Sequence, residues 1–248
     1  MLKHLYDTDC VTWSPQGKLF QVEYAMEAVK QGSICLGLKS NENVVLCSLK
    51  RQPSELAGYQ EKQFKIDDHM AIAIAGLTAD ARVLCKYMRT ECLEYKYTYE
   101  SHHPVGRLVF KVAEKSQHKT QSGAKRPYGV GLLVAGIDPN GVHLFETCPS
   151  GNYYEYKCQA IGSRSQAART YFESWFHLFE KSTLEQLILH GLSALKKAIM
   201  EDEELNERNV EVGILGKNQK FVHLNAQELK DYIAKLETFN ANTQIQQE

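Results

Sequence analysis

Seven cysteines, an adjacent histidine pair and a short acidic run are the residues of this 248-residue sequence that could carry chemistry on their own. A thiolate nucleophile needs an activating neighbour, and a zinc site or disulfide framework needs close paired spacing. Cys10, Cys35, Cys47, Cys85, Cys92, Cys148 and Cys158 are odd in number and show neither feature, so they are expected to be reduced and mostly buried. His102-His103 lies in a connection between helices with no third ligand in view, and a solvated loop is expected there instead of a metal site. The run "EDEELNE" (201–207) is expected to be exposed loop. Phe172, Trp175, Phe176 and Phe179 read as core or interface aromatics of a helix, with nothing to mark a cofactor site. No metal and no organic cofactor is expected.

Composition narrows the class further. A formal charge of −1 with 43% hydrophobic residues describes an ordinary globular surface with no pull toward nucleic acid or anionic lipid. No apolar run approaches the roughly 18 residues that would span a bilayer, and the N-terminus lacks a signal-like apolar region. The expected compartments are cytoplasm and nucleus, with no membrane partner.

The elements follow from local signals. Ser33–Lys39 and Val44–Leu49 flank the turn-forming stretch Ser40–Asn43 and read as a hairpin. "AIAIAGL" (71–77) reads as a strand, and Thr78 as the N-cap of a helix whose Leu84, Met88, Cys92 and Tyr95 share one face. A second helix is predicted to start near Pro104 and to give way to loop over Ser116–Arg126. "YGVGLLVAGI" and "GVHLFETC" surround Asp138-Pro139-Asn140-Gly141, a tight reversal. Two helices follow, the second opened by a capping box of Ser182 with Glu185. "VEVGILG" and "KFVHL" make a third hairpin, and Asn225 with Glu228 caps a last helix to about Phe239, beyond which 240–248 is a polar tail expected to fray. Hairpins imply antiparallel pairing, yet the strands are nearly continuous apolar runs, so both faces of each sheet must be covered. The economical answer is a single domain over 1–248 of the α+β class, a four-layer αββα sandwich of two antiparallel sheets. One piece stands outside it: Leu19, Val22, Met26 and Val29 recur at helical spacing ahead of the first hairpin and form a stripe that must be buried on something.

"YDTDCVTWSPQGKLFQVEYAMEAVKQGS" resembles the N-terminal signature of proteasome alpha-type subunits, and "GLTADARVL" and "RPYGVGLLVAGID" resemble two further motifs of that family. The resemblance spans nearly the whole chain. It implies the N-terminal-nucleophile hydrolase-like fold with an extra N-terminal helix: a gate segment and helix over 1–31, the sandwich over 32–239 and the tail. In the catalytic beta subunits a threonine exposed after a Gly begins the first strand, its hydroxyl attacking and its free amine serving as base. Gly32-Ser33 stands at the equivalent place. Leu49 occupies the position of the catalytic aspartate, and the preceding helix looks retained, so no catalytic residue is expected. The alternatives are an active hydrolase that uses Ser33 and a homo-oligomeric ring member.

What the resemblance implies instead is assembly and recognition, in a heteroheptameric ring of alpha subunits stacked on a beta ring. Its helix stripe would lie across the mouth of the sandwich, where the beta subunits keep their active site. Tyr6, Asp7, Pro15 and Tyr24 match the family's gate residues, although the family's Tyr-Asp-Arg is here Tyr6-Asp7-Thr8, which removes a bidentate partner for a neighbouring carboxylate. From residue chemistry alone, Ser14-Pro15 could equally be a plain turn and Tyr24 a core aromatic. Lys62 matches the lysine that meets the terminal carboxylate of regulator tails in a groove between adjacent subunits, with Gly32 and Leu77 at the matching walls. Lys65 is the neighbouring alternative, and either lysine would be expected at a solvated groove mouth.

Overall fold

The computed structural model describes residues 6–52, 54–200 and 204–245, with only the backbone described from 240 onward. Along the chain run α1 (Phe20–Gln31), β1 (Cys35–Lys39), β2 (Asn43–Leu49), β3 (Gln63–Asp67), β4 (Met70–Gly76), α2 (Thr78–Tyr99) and α3 (Val105–Thr120). Then come β5 (Val130–Asp138), β6 (Gly141–Thr147), β7 (Tyr153–Glu155), β8 (Cys158–Ile161), α4 (Ser165–Phe179), α5 (Leu184–Ala198), β9 (Val210–Gly216), β10 (Gln219–His223) and α6 (Ala226–Ile245). The strands form two five-stranded antiparallel sheets, in the orders β10-β9-β2-β1-β8 and β3-β4-β5-β6-β7.

The four layers rest on an alternation hidden inside the apolar runs. Successive strand residues face opposite sides. In β4, Met70, Ile72 and Ile74 pack with Leu84, Met88 and Leu108 of the covering helices, whereas Ala71, Ala73 and Ala75 face the other sheet. In β2, Val45 and Cys47 pack with Phe172, Leu187 and Leu192, while Val44 and Leu46 face inward. Each large side chain so buried contributes about 1.5–3 kcal/mol. The small inward residues let the two sheets close on each other.

Local signals fall close to where the sequence puts them. Asn140 N–H donates to Asp138 Oδ1 at 2.8 Å and Gly141 takes φ +137°, closing the β5–β6 turn. Asp138 also accepts from Val105 N–H at 3.2 Å, so α3, which begins after a proline without a capping side chain, is capped from a neighbouring hairpin. Asn225 and Glu228 exchange the two bonds of a capping box at 2.9 and 2.8 Å.

Several boundaries differ from expectation. Thr78 is the first residue of α2 and makes no cap, that position being held by Leu77. α3 continues through the stretch expected to begin a loop, because Ser116 and Thr120 are buried and the Ser116 hydroxyl donates back to Val112 O at 2.9 Å. The capping box of α5 sits one residue later, on Thr183 and Gln186, because the Ser182 hydroxyl donates to Leu178 O behind it. α6 continues to Ile245, and 246–248 lie outside the described residues. The described part of the acidic run, 204–207, is loop and turn, with 201–203 outside the described residues. Three short strands, β3, β7 and β8, are absent from the elements expected from the sequence, although Gln63–Asp67 of β3 alternates polar and apolar residues.

Candidate functional site

The site is the end of the sandwich on which α1 sits. α1 packs on β4 and β5, and the chain passes from α1 to β1 through Gly32 and Ser33. A Cβ on Gly32 would lie 2.2 Å from the Gly76 nitrogen, and a Cβ on Gly76, at φ +112°, would lie 2.2 Å from Gly129 O. The backbones of three segments therefore touch with no side chain between them. Gly32 O accepts from Ser163 N–H at 2.7 Å and Leu77 N–H donates to Gly129 O at 2.8 Å, which fixes the packing. Asp80 holds the same corner: it takes both guanidinium nitrogens of Arg126 at 2.6 and 2.9 Å and Gly129 N–H at 2.9 Å. The Arg126 hydrogen bond leads the effects that hold the Asp80 carboxyl below its ordinary range.

α1 buries Phe20 and Ala25, and Val29 packs into the core between the sheets. The expected stripe is only partly inside. Leu19 and Val22 are half-buried, and Met26 is 39% exposed on the rim of a cleft of about 340 Å³ shared with Lys30, Thr147, Arg164 and Arg169. The face of α1 that meets the sandwich is instead carried by Phe20, Ala25 and Val29.

Ser33 is buried at the start of β1. Leu49, at the position where an aspartate would be needed, is buried in the apolar core that includes Ile34, and its N–H donates to Ile34 O at 3.1 Å. No carboxylate comes from that position.

Lys62 corrects the expectation of a solvated lysine at a groove mouth: it is 4% exposed. Its chain is held by Ile74 N–H donating to Lys62 O at 3.0 Å and by Lys62 N–H donating to Glu211 Oε2 at 3.0 Å. Beside it, the Gln63 amide donates to Leu46 O, Ser48 Oγ and Glu211 O at 3.1, 2.9 and 2.9 Å. Burial pushes the Lys62 ammonium down and the Glu211 carboxyl up from their ordinary values. Among the described residues the Lys62 ammonium has no hydrogen-bond or ion-pair partner. Gly32 abuts Gly76, Leu77 follows it at 48% exposure, and Lys62 joins the same strand two residues earlier, so all three gather at the C-terminal end of β4. Lys65 is exposed and ion-paired with Asp68 at 2.6 Å.

Of the residues expected at a gate, the structure brings Asp7 and Tyr24 together, the Tyr24 hydroxyl donating to Asp7 Oδ2 at 3.5 Å while the Gln21 amide donates to Asp7 O. Tyr24 also stacks on Phe20 with ring centroids 6.2 Å apart. It is an exposed aromatic on α1, not a core one. Tyr6 is half-buried, and Pro15 stands exposed in a turn closed by Gly17 N–H on Ser14 O at 2.9 Å. Asp9, Gln21, Asp80 and Glu211 escaped the sequence reading. Only Asp9 carried a usable signal, an Asx turn onto Val11 and Thr12 N–H at 2.9 and 2.8 Å.

The cysteines are all free, five of them buried. Burial raises the thiols of Cys35, Cys92, Cys148 and Cys158 to about 12, so they stay protonated near neutrality. The histidine pair is not a solvated loop: His103 is buried, and Asp67 and His69 stand beside His102.

Two stacked antiparallel sheets between helical layers, with a helix laid over the end where the first strand begins, define an α+β sandwich of the N-terminal-nucleophile hydrolase kind. The family profile described as "Proteasome subunit" matches residues 29–215, and the profile for the N-terminal signature of alpha-type proteasome subunits matches residues 6–28. "Proteasome subunit alpha type-1" of Dictyostelium discoideum is 56% identical over 96% of each chain. "Probable proteasome subunit alpha type-6" of Schizosaccharomyces pombe is 50% identical over 95% of this chain and 87% of its own. "Proteasome subunit alpha type-1" of Drosophila melanogaster is 46% identical over 94% and 85%. The chain belongs to the proteasome subunit family and is an alpha-type member of the 20S core, a particle of protein degradation, which implies assembly with other proteasome subunits.

Proposed function

We propose that this chain is a noncatalytic member of a heteroheptameric outer alpha ring, stacked on a beta ring, where it contributes to the substrate gate and to the docking of regulator C-terminal tails. The observation that carries the reading is α1 itself. It lies over the end of the sandwich ahead of Ser33 and is locked there by the Gly32–Gly76 contact, so freeing a Ser33 amine would mean cutting inside a packed junction. Leu49 in place of a carboxylate supports the same reading. The test is intact mass together with Ser33→Ala: the chain in purified particles should keep the residues before Ser33, and the variant should leave every peptidase specificity unchanged. Loss of one specificity in assembled particles would overturn it.

For the gate, the Asp7–Tyr24 contact ties the segment after Tyr6 to α1, and Thr8 supplies no cation to a neighbouring carboxylate. For docking, an unpartnered ammonium that has lost most of its hydration is poised to gain from an incoming carboxylate, which would restore its charge-assisted bonding. Because Lys62 is buried, Lys62→Met is the cleaner probe, since it keeps the packing of the stem. It should weaken a single tail peptide by roughly ten- to a hundredfold, or about 1.5–3 kcal/mol, and Lys65→Ala should not. A multi-tail regulator will mask part of the loss. If only the Lys65 change weakens binding, the pocket is built on that lysine instead. Residence in cytoplasm and nucleus belongs to the same proposal, and fractionation of cells carrying the tagged chain tests it.

A further inference from the structure

Asp67 ends β3, His69 lies in the turn into β4, and His102 lies between α2 and α3, all away from the α1 end. A register irregularity between Lys65 and Asp67 re-aims the Asp67 side chain. One ring nitrogen of each of His69 and His102 and a carboxylate oxygen of Asp67 come within 4.8 Å of one another. Asp67 Oδ2 is 3.4 Å from His69 Nδ1 and from His102 Nδ1. That is long for a hydrogen bond, but two ligand atoms on one tetrahedral zinc at 2.0–2.1 Å are separated by about 3.3–3.4 Å.

The orientation of His69 carries the argument. Its Nε2 lies 2.9 Å from His103 O. A carbonyl only accepts, so Nε2 bears the proton and Nδ1 presents a lone pair. His69 is 8% exposed, and among the described residues its Nδ1 has no hydrogen-bond partner. A buried, unpartnered ring nitrogen thus faces a carboxylate oxygen at 3.4 Å, an arrangement that a cation between them would make favourable. The surroundings are those of a metal-binding imidazole, whose second nitrogen donates to a carbonyl. His69 is further fixed by Ile137 N–H on its own carbonyl at 3.0 Å, and Asp67 Oδ1 is engaged by Asp68 N–H at 2.7 Å, which leaves Oδ2 for the ligand.

We propose that Asp67, His69 and His102 form a binding site for a divalent first-row transition-metal ion, zinc being the best match, with a fourth position left to solvent or to a group from another chain. Two imidazoles and one carboxylate suit zinc over magnesium, which prefers oxygen ligands.

The test uses the full-length chain, stripped with a chelator and titrated with Zn²⁺ against a colorimetric competitor. One equivalent should bind. His102→Ala and Asp67→Asn should each weaken binding by at least about tenfold, whereas His177→Ala, at an exposed histidine on α4, should not. Excess Mg²⁺ should not compete. His102 is 49% exposed, so His102→Ala decides the matter even if the aspartate variant folds poorly. Co²⁺ in the same protein should give tetrahedral d–d bands without thiolate charge-transfer absorption. Unchanged zinc binding in His102→Ala, or thiolate absorption with Co²⁺, would overturn the proposal and leave the trio as an imidazole–carboxylate contact only.

Discussion

The two ends of β4 are built on different principles. At Gly76 the chain is closed by backbone against backbone, with Gly32 and Gly129 pressed so close that a single Cβ would meet main-chain atoms. At the other end, beyond Met70, the contacts are made by titratable side chains, Asp67, His69 and His102, one of them half exposed. Main-chain closure transmits position and leaves no room for chemistry, whereas a polar cluster keeps its atoms available to a ligand. The helix-covered end is therefore a sealed structural joint beside the buried Lys62, whereas the hairpin end keeps polar side-chain atoms within reach of solvent.

Substitutions at the two ends should separate them. Gly32→Val should have the largest effect. It forces branched carbon onto the Gly76 nitrogen and should cost about 3 kcal/mol or more, read as a lower urea midpoint or loss of soluble chain. Stability within about 0.5 kcal/mol of the parent, the range of an inert surface change, would mean that the joint is not tight. Asp80→Ala should follow at about 1–3 kcal/mol, since it strands the buried Gly129 N–H, while the exposed Arg126 is left to solvent. The Asp80 carboxyl also sets an acid limb. Its folded pKa lies below the unfolded one, so its contribution is complete above the ordinary carboxylate range and disappears as pH falls through the depressed folded value. A urea series from about pH 6 down to about pH 3 should show a shallower acid loss in Asp80→Ala than in the parent. Met26→Asp should barely change the fold of the separate chain, within about 0.5 kcal/mol for an exposed position, yet should block incorporation into particles, where a neighbouring subunit would have to desolvate the charge. Normal recovery in particles would show that Met26 stays exposed there. His102→Ala should be the mildest for stability, inside the same limit without zinc. A loss above about 1 kcal/mol in chelator would make that end structural after all.

How much is legible in the sequence depends on how far a residue's partners lie along the chain. The Asp138–Gly141 turn and the Asn225–Glu228 box are complete within four residues, and both stand where the sequence puts them. The capping box of α5 slips by one place because Ser182 and Thr183, like Glu185 and Gln186, are equally good on chemistry. Only the bond from Ser182 back to Leu178 decides between them. β3 goes unrecognised because the Lys62 backbone N–H and the Gln63 side-chain N–H that open it are taken up by Glu211, 149 and 148 positions further along the chain. The same distance hides the burial of Lys62, although its position is legible. The third ligand beside His102 is invisible for a similar reason: Asp67 lies 35 positions earlier and reaches it only through a hairpin turn. Met26 fails differently. Its spacing marks it as apolar stripe, but the inward face of α1 is rotated onto Phe20, Ala25 and Val29, which leaves Met26 at the rim.

The two sheet orders carry a consequence for synthesis on the ribosome. β3-β4-β5-β6-β7 runs in chain order, so each strand finds its neighbour soon after it emerges. β2 instead pairs with β9, Val45 opposite Ile214, and β1 with β8, Leu36 opposite Ala160. The first hairpin must wait for nearly the whole polypeptide before both of its edges are covered, and loop closure over such separations slows pairing. Through that interval the strand edges that carry Cys35 and Cys47 are open to wrong partners, which makes nascent chains the form that most needs a chaperone. Pulsed hydrogen exchange during refolding should accordingly protect β4–β6 before β1–β2, and simultaneous protection of both sheets would refute that order.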